Sequence, residues 1–301
     1  MHGIVLIHKA PGISSFKALY PIKKQFPKKT KIGHTGTLDP FAEGLLVVLC
    51  GSFTRLTEYS LQKSKRYIAD IQLGQETDSL DSTGAIIKSK PVPPKDEILQ
   101  RIPELHNQFS GNIQQIPPAY SAIHIQGKRA YERARAGEII EMPSRQITIH
   151  SIDIQLISDT CLRCEVECSS GTYIRSLARD IAVSLNTCGH VKNLIRTHIG
   201  DFSLKDAVVA ENAHKNLRSD IQMYTKLTGN QAIYIQDEYL PAFIQGKIIQ
   251  KQWFIENSQN FSMNEHVGVF DSQEKFIGQI QLQESKYRYD LVIPQSRGDQ
   301  V

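Results

Sequence analysis

The sequence predicts an α/β (α+β) protein: one large domain on a mixed, largely antiparallel sheet, followed by a small β-barrel. Three observations carry this. The chain of 301 residues is long for one average domain and suits a large domain plus a small one. Up to about residue 228, runs of strand-like alternation are interleaved with runs of helical spacing. From Thr228-Gly229-Asn230 onward the runs are short and strand-like with regular turns, the texture of a small barrel. The expected domains are residues 1–228 and 229–301.

Taken in order, residues 3–7 read as a short buried strand. "PGISSFKALYPIKKQF" reads as a turn and a Ser-capped helix with Phe16, Leu19 and Ile22 on one side. "AEGLLVVLCG" is an apolar run ended by glycine, in which helix and strand cannot be told apart. "KRYIADIQLG" alternates, with Tyr67, Ala69, Ile71 and Leu73 on one face and Lys65 at its entrance. "ETDSLDSTG" is a polar loop, and "AIIKSKPVPPKDEI" runs through prolines into a helix. "SRQITIHSIDIQLIS" and "CLRCEVEC" are two further strands. "TYIRSLARDIAVSL" places Ile174, Leu177, Ala178, Ile181 and Leu185 at helical spacing, so it forms an amphipathic helix on the sheet. Beyond the boundary, "QAIYIQ", "HVGVFD", "KFIGQIQL" and "YRYDLVIP" are strands, and "LPAFIQGK" is a helix-like piece.

Hydrophobic residues make up 40% and charged residues 22%, which supports a packed core and excludes the disordered class. The formal charge is +4 and the pI about 8.7, which permits an anionic partner without requiring one. The basic residues are clustered: Lys23, Lys24, Lys28, Lys29 and Lys31; Lys63, Lys65 and Arg66; and Lys128, Arg129, Arg133 and Arg135. One such cluster reads as a solvated face; three point to a surface that tracks phosphates. "GIVLI" is too short for a secretory h-region, and no apolar run approaches a membrane span, so a reduced, cytoplasmic protein without membrane contact is expected. Cys161-x-x-Cys164, with Cys168, Cys188 and His190, tempts a zinc reading. However, "CLRCEVEC" alternates, whereas a zinc knuckle needs a turn between its paired cysteines, so buried thiols are expected and no metal. Asp78, Asp81 and Gly84 lack the alternate ligand spacing and distal glutamate of a calcium loop.

The most tightly specified stretch is "KIGHTGTLDP". Pro40 biases Asp39 toward an extended or turn conformation, and Gly33 and Gly36 permit unusual backbone angles. Asp39 therefore sits on a rigid loop leaving a strand. Two readings stand here: a turn cap bonding its own backbone, or a carboxylate held for chemistry, which needs a partner that keeps it ionised.

The blocks "GHTGTLDP", "AEGLLVVLCG", "KRYIADIQLGQETDSLDSTG", "IPPAYSAIHIQGKRAYERARAGE", "SSGTYIRSLARDI" and "HVKNLIRTHIGDFSL" resemble, in order, the TruB family of tRNA pseudouridine synthases, from residue 3 to about 210. From about residue 230 the chain resembles, more loosely, a PUA domain. His8-Lys9-Ala10 departs from the family, which usually has an acidic residue before the lysine and a proline after it; Glu43 stands where threonine is common. The resemblance implies the pseudouridine synthase fold, isomerisation of uridine 55 in the T-loop of tRNA, and action as a monomer without cofactor, metal, guide RNA or protein partner. It implies that Asp39 is the catalytic aspartate, that Arg175 pairs with it, and that Tyr67 stacks on the uracil and takes part in proton handling. His34, Tyr173 and Leu194 match positions that contact RNA or frame the pocket.

The chemistry fits these residue types. Breaking the bond from ribose C1′ to uracil N1 and joining C1′ to C5 exchanges no atoms overall, and a nucleophilic carboxylate suffices to assist it. A guanidinium beside the carboxylate favours its charge. An aromatic face holds the detached base at roughly 1–3 kcal/mol while allowing in-plane rotation. The target must first leave the RNA stack, and His34 is the candidate to fill the space. The rivals are a guide-RNA-dependent relative, an RNA-folding module without catalysis, and a uridine glycosidase.

Overall fold

The computed structural model describes residues 1–294 except 122, 126, 131, 132, 134–137, 139, 140, 256–261, 263, 284 and 285. Along the chain run β1 (Gly3–Lys9), α1 (Ser15–Lys24), β2 (Ile32–His34), β3 (Glu43–Cys50), α2 (Thr57–Leu61), β4 (Lys65–Leu73), β5 (Gln75–Thr77) and β6 (Ile86–Ser89). Then come α3 (Lys95–Gln108), β7 (Gly111–Gln115), β8 (His124–Ile125), β9 (Lys128–Arg129), β10 (Arg145–Ser158), β11 (Cys161–Cys168), α4 (Ile174–Ser184), β12 (Gly189–Ile199) and β13 (Phe202–Ser203). The last elements are α5 (Ile221–Thr228), β14 (Gln231–Tyr234), α6 (Leu240–Ile244), β15 (His266–Phe270), β16 (Phe276–Gln283) and β17 (Lys286–Val292).

The large sheet has the order β1-β3-β12-β4-β11-β10-β7, with β2 beside β3 and β13 beside β12. It is antiparallel except where β12 runs parallel to β3, with Arg196 opposite Gly44. The mixed, largely antiparallel sheet is thus as expected. The ambiguous run 42–51 resolves as β3, whose residues 45–50 are all buried. A strand covered on both faces shows no alternation, which is why its sequence pattern fits either element.

Helix α4 lays Ile174, Leu177, Ala178, Ile181 and Ala182 onto the sheet over β12 and β4, in one core cluster with Leu162, Cys164, Val166 and Cys168 of β11. The alternation read in β11 therefore holds, and the cysteines are buried and free. Burial pushes the thiol of Cys164 up to about 12 and that of Cys168 up to about 11. His190 meets the Gln75 carbonyl at 2.9 Å, and among the described residues no cluster of His, Cys, Asp or Glu is placed to hold a metal.

Asp220 caps α5 by accepting from the Met223 N–H, and Gly229, at φ 75°, ends it. Strands β14 to β17 form a four-stranded sheet in chain order, β14 and β15 parallel and the rest antiparallel. Among the described residues it is an open sheet and not a closed barrel. It shares a core with the large sheet: Leu45, Val47 and Phe53 pack in one cluster with Tyr224, Phe270 and Phe276. Tyr224 donates to Gln279 at 2.8 Å, and Gln279 donates to Tyr59 at 3.1 Å across the same junction.

Candidate active site

Asp39 lies on the segment between β2 and β3, and four neighbours fix that segment. Arg196 donates to the carbonyls of Gly36 (3.1 Å) and Thr37 (3.4 Å). The buried Ser15 hydroxyl accepts from the Leu38 N–H (2.8 Å) and donates to the Leu38 carbonyl (3.0 Å). The Pro40 carbonyl accepts from the Gly12 N–H (2.8 Å) and the Lys9 ammonium (3.3 Å). Gly36 has φ 135°, a left-handed angle that disfavours any side chain. Between these anchors the Asp39 side chain stays 34% exposed, turned into a cleft. Its carboxylate does not cap its own turn. Both oxygens accept from Arg175, Oδ2 from Nε at 2.9 Å and Oδ1 from Nη2 at 3.3 Å.

The first turn of α4 is what aims Arg175. The side-chain amide of Gln115, buried at the end of β7, donates to the Tyr173 carbonyl (3.0 Å) and accepts from the Tyr173 N–H (2.8 Å). The Ser176 hydroxyl donates to the Ile116 carbonyl at 2.8 Å. Arg175 is only 5% exposed, so its guanidinium must be fully partnered. Besides Asp39 it donates to the carbonyls of Ser79 (2.8 Å) and Tyr120 (2.9 Å), and Asp81 Oδ2 lies 3.7 Å away. Asp81 is itself held by Ser79 and Thr83, at 2.9 and 2.6 Å from their hydroxyls. Leu80, between Ser79 and Asp81, has φ 61°, a strained angle for a leucine, and its carbonyl is held by the Val191 N–H. The polar loop of the sequence is therefore a wall of this site, a role the spacing of Asp78 and Asp81 does not show.

Tyr67, on β4, stands opposite Arg196 of β12 and packs on the cluster containing Leu38 and Leu194. Burial raises its phenol above the ordinary tyrosine value, and the neighbouring Arg196 guanidinium opposes that shift. Arg196 is 1% exposed and also donates to the Leu45 carbonyl at 2.9 Å. Burial, aided by the Arg196 charge, lowers Lys9 and Lys65 to about 8 and favours neutral His34. Arg145 sits over the Tyr173 ring at 4.6 Å.

These groups line a cleft of about 690 Å³, enough for a nucleoside and its neighbouring phosphates. Asp39, Tyr67, Tyr173 and Arg175 meet in it, as do Lys65, Asp81, Arg145 and Arg196, which sequence reasoning did not assign to the site. His34 and Leu194 do not line it. His34 is half-buried on β2 with an unpartnered Nδ1, and Leu194 is buried in the core behind Tyr67. The second basic cluster is not a free surface: Lys65 turns inward to the carbonyls of Leu61 and Lys63, and Arg66 pairs with Glu167. Of the third, residue 135 lies outside the described residues, and Arg133 pairs with Glu138. The signal for Arg196 was available: it shares the inward parity of Leu194 in a strand, where a charge needs a reason.

A family model described as TruB family pseudouridylate synthase (N-terminal domain) matches residues 23–174. The tRNA pseudouridine synthase B of Borreliella burgdorferi (strain ZS7) is 36% identical over 295 residues, covering 97% of this chain and 99% of that protein. The chain belongs to the TruB family. The tRNA pseudouridine synthase B of Caldanaerobacter subterraneus subsp. tengcongensis is 37% identical over 277 residues, 92% of this chain and 93% of that one. Among solved structures, the archaeal box H/ACA sRNP Nop10–Cbf5 complex matches with a TM-score of 0.63 at 21% identity, over 97% of this chain and 86% of that chain. A Cbf5–Nop10–Gar1 complex matches with a TM-score of 0.62 at 20% identity, over 97% and 84%. At such identities the likeness is one of fold, and it bears out the pseudouridine synthase fold expected of a TruB family chain. Among the described residues no helix is long and apolar enough to cross a membrane.

Proposed function

We propose that this protein isomerises uridine to pseudouridine at position 55 in the T-loop of tRNA, acting in the cytoplasm as a monomer without guide RNA or cofactor. The observation that carries the reading is the Asp39–Arg175 pair. A carboxylate one-third exposed at a cleft floor is held in two hydrogen bonds by a buried guanidinium, in a chain of the TruB family. Residues 1–228 supply the catalytic domain and 229–301 a PUA-like RNA-binding domain.

In this reading the T-loop uridine leaves its stack and enters the cleft. Asp39 attacks, at ribose C1′ or uracil C6, and the bond from C1′ to N1 breaks. Arg175 holds the carboxylate ionised and aimed through the attack. The freed uracil rotates against the Tyr67 ring, C5 bonds to C1′, the bond to Asp39 breaks and returns the carboxylate, the C5 proton leaves, and N1 ends protonated. The high phenol of Tyr67 keeps it a neutral hydrogen-bond donor at neutral pH, suited to passing a proton rather than to storing charge. Tyr173, braced under Arg145, frames the pocket, and Leu194 backs Tyr67. His34, whose neutral ring is favoured by burial, fills the space the base vacates. His34→Ala acting on tRNA as well as wild type would remove that assignment.

The test is tritium release from a tRNA transcript labelled at C5 of uridine, with the product position mapped. Release at the T-loop uridine by the protein alone, lost in Asp39→Asn with binding retained, supports the reading. Binding without release points to a folding module or a missing guide, and free uracil as product points to a glycosidase.

A further inference from the structure

We infer that the solvent face of α1 is a second RNA contact, in which Phe16 and Tyr20 stack an unpaired base of the substrate RNA while the lysines around them hold its phosphates. This rests on the tRNA reading above and adds a contact outside the cleft. Helix α1 buries Ala18, Leu19 and Ile22, so its opposite face should be polar. Instead Phe16, which helical spacing groups with Leu19 and Ile22, is 55% exposed, and Tyr20, one turn on, is 50% exposed. Their rings meet edge to face at 5.6 Å, and the Lys23 ammonium lies 4.6 Å over the Phe16 ring. A single exposed aromatic residue is ordinary; two in contact, beneath a cation, form a ridge that the fold does not use.

The charge around the ridge is of one sign. Residues 1–38 contain no aspartate or glutamate. Lys17, Lys23, Lys24, Lys28, Lys29 and Lys31 are exposed, and among the described residues none makes an ion pair. Exposed aromatic rings set among unpaired cations fit a single-stranded polyanion with flat bases. The face is also continuous with the candidate site: Ser14 lines the Asp39 cleft, and Ser15 holds Leu38. At 1.5 Å per residue the ridge and its lysines extend about 15 Å from the cleft mouth, within reach of nucleotides near the target uridine.

The experiment measures the Kd for tRNA transcript against NaCl concentration, with the full chain, for wild type, F16A/Y20A and K23A/K24A. All substituted side chains are exposed, so folding is retained and is checked by melting temperature. F16A/Y20A is expected to bind about 5- to 150-fold more weakly at every salt concentration, with an unchanged salt slope. K23A/K24A is expected to flatten the slope by about 0.7 for each phosphate that is no longer neutralised. An abasic scan of the RNA should find one position whose removal weakens wild type but not F16A/Y20A. Wild-type affinity in F16A/Y20A overturns the inference. So does intact RNA binding with altered self-association on sedimentation, which would assign the ridge to a protein contact. If wild type neither binds nor modifies tRNA, it is the functional reading that has failed.

Discussion

Arg175→Lys keeps the charge beside Asp39 and removes the fork. The guanidinium reaches in three directions at once: to both oxygens of Asp39, to the Ser79 and Tyr120 carbonyls, and toward Asp81. A lysine ammonium presents its protons from one atom on a shorter reach and cannot serve all of them. The two carbonyls, if left unmatched, cost about 1–3 kcal/mol each, so stability falls by about 2–4 kcal/mol after partial replacement by water. Asp39 keeps a counter-ion but loses its second hydrogen bond, and if it is the proposed nucleophile, freedom to move by about 1 Å loses roughly 10²-fold in rate. In single-turnover tritium release from labelled tRNA, the variant should therefore be about 10²-fold slower, near 2.7 kcal/mol in the barrier, with tRNA Kd within about threefold of wild type. Urea unfolding confirms that the assay is run on folded protein. A rate within threefold of wild type would refute the reasoning, because the charge alone would then suffice and the two-point grip would be incidental.

Gly44→Ala should destabilise by about 2–6 kcal/mol: at φ 121° its new methyl would meet the Arg196 carbonyl oxygen and amide nitrogen across the parallel pairing. A melting temperature within a few degrees of wild type would contradict this. Gln115→Leu should cost about 2–4 kcal/mol in urea unfolding, because the Tyr173 N–H and carbonyl lose their partner. A cost below about 1 kcal/mol would mean α4 has another anchor. Cys164 has a thiol pushed up to about 12 from 9.0, so the folded state holds its proton where the unfolded state loses it. Its contribution is whole below pH 9 and falls as pH rises from 9 toward 12, by roughly 1 kcal/mol at pH 10. Cys164→Ala should accordingly lose that much less stability than wild type between pH 8 and 10; equal losses would show that the thiol is not protected by burial.

The repetitive elements were legible because burial is periodic. β4, β11 and α4 present one apolar face each, and alternation or helical spacing records it. β3 was harder because both faces are covered, so composition replaced pattern. Asp39 stood out through Pro40 and the flanking glycines, and Arg175, Tyr67 and Tyr173 through the family blocks around them. Asp81 and Lys65 read as loop and surface because their partners are distant in sequence or invisible in it. The Asp81 carboxylate lies beside the Arg175 guanidinium, and the buried Lys65 ammonium is satisfied by carbonyls rather than by a charge. No local spacing encodes such pairings.

The two buried arginines explain why the site needs this loop and not merely an aspartate. Arg175 meets two carboxylates, so its charge is answered inside the protein. Arg196 donates to the carbonyls of Leu45, Gly36 and Thr37 and bonds the Tyr67 side chain, and among the described residues it has no carboxylate partner, so its charge is left over. That excess acts on the groups near it: it adds to the burial that lowers Lys9, Lys65 and His34, and it opposes the burial that raises the Tyr67 phenol. With Arg145 at the rim, the cleft carries more positive than negative charge, and low-dielectric walls focus such a field outward. In the proposed function an anionic backbone entering the cleft would supply the missing counter-charge, so the arginine that fixes the Gly36–Thr37 turn, and with it Asp39, would also draw in the substrate. In the proposed reaction, placement of Asp39 as nucleophile and attraction of the RNA would thereby be coupled through one side chain. Arg196 should therefore be hard to replace, even though it does not touch the Asp39 carboxylate.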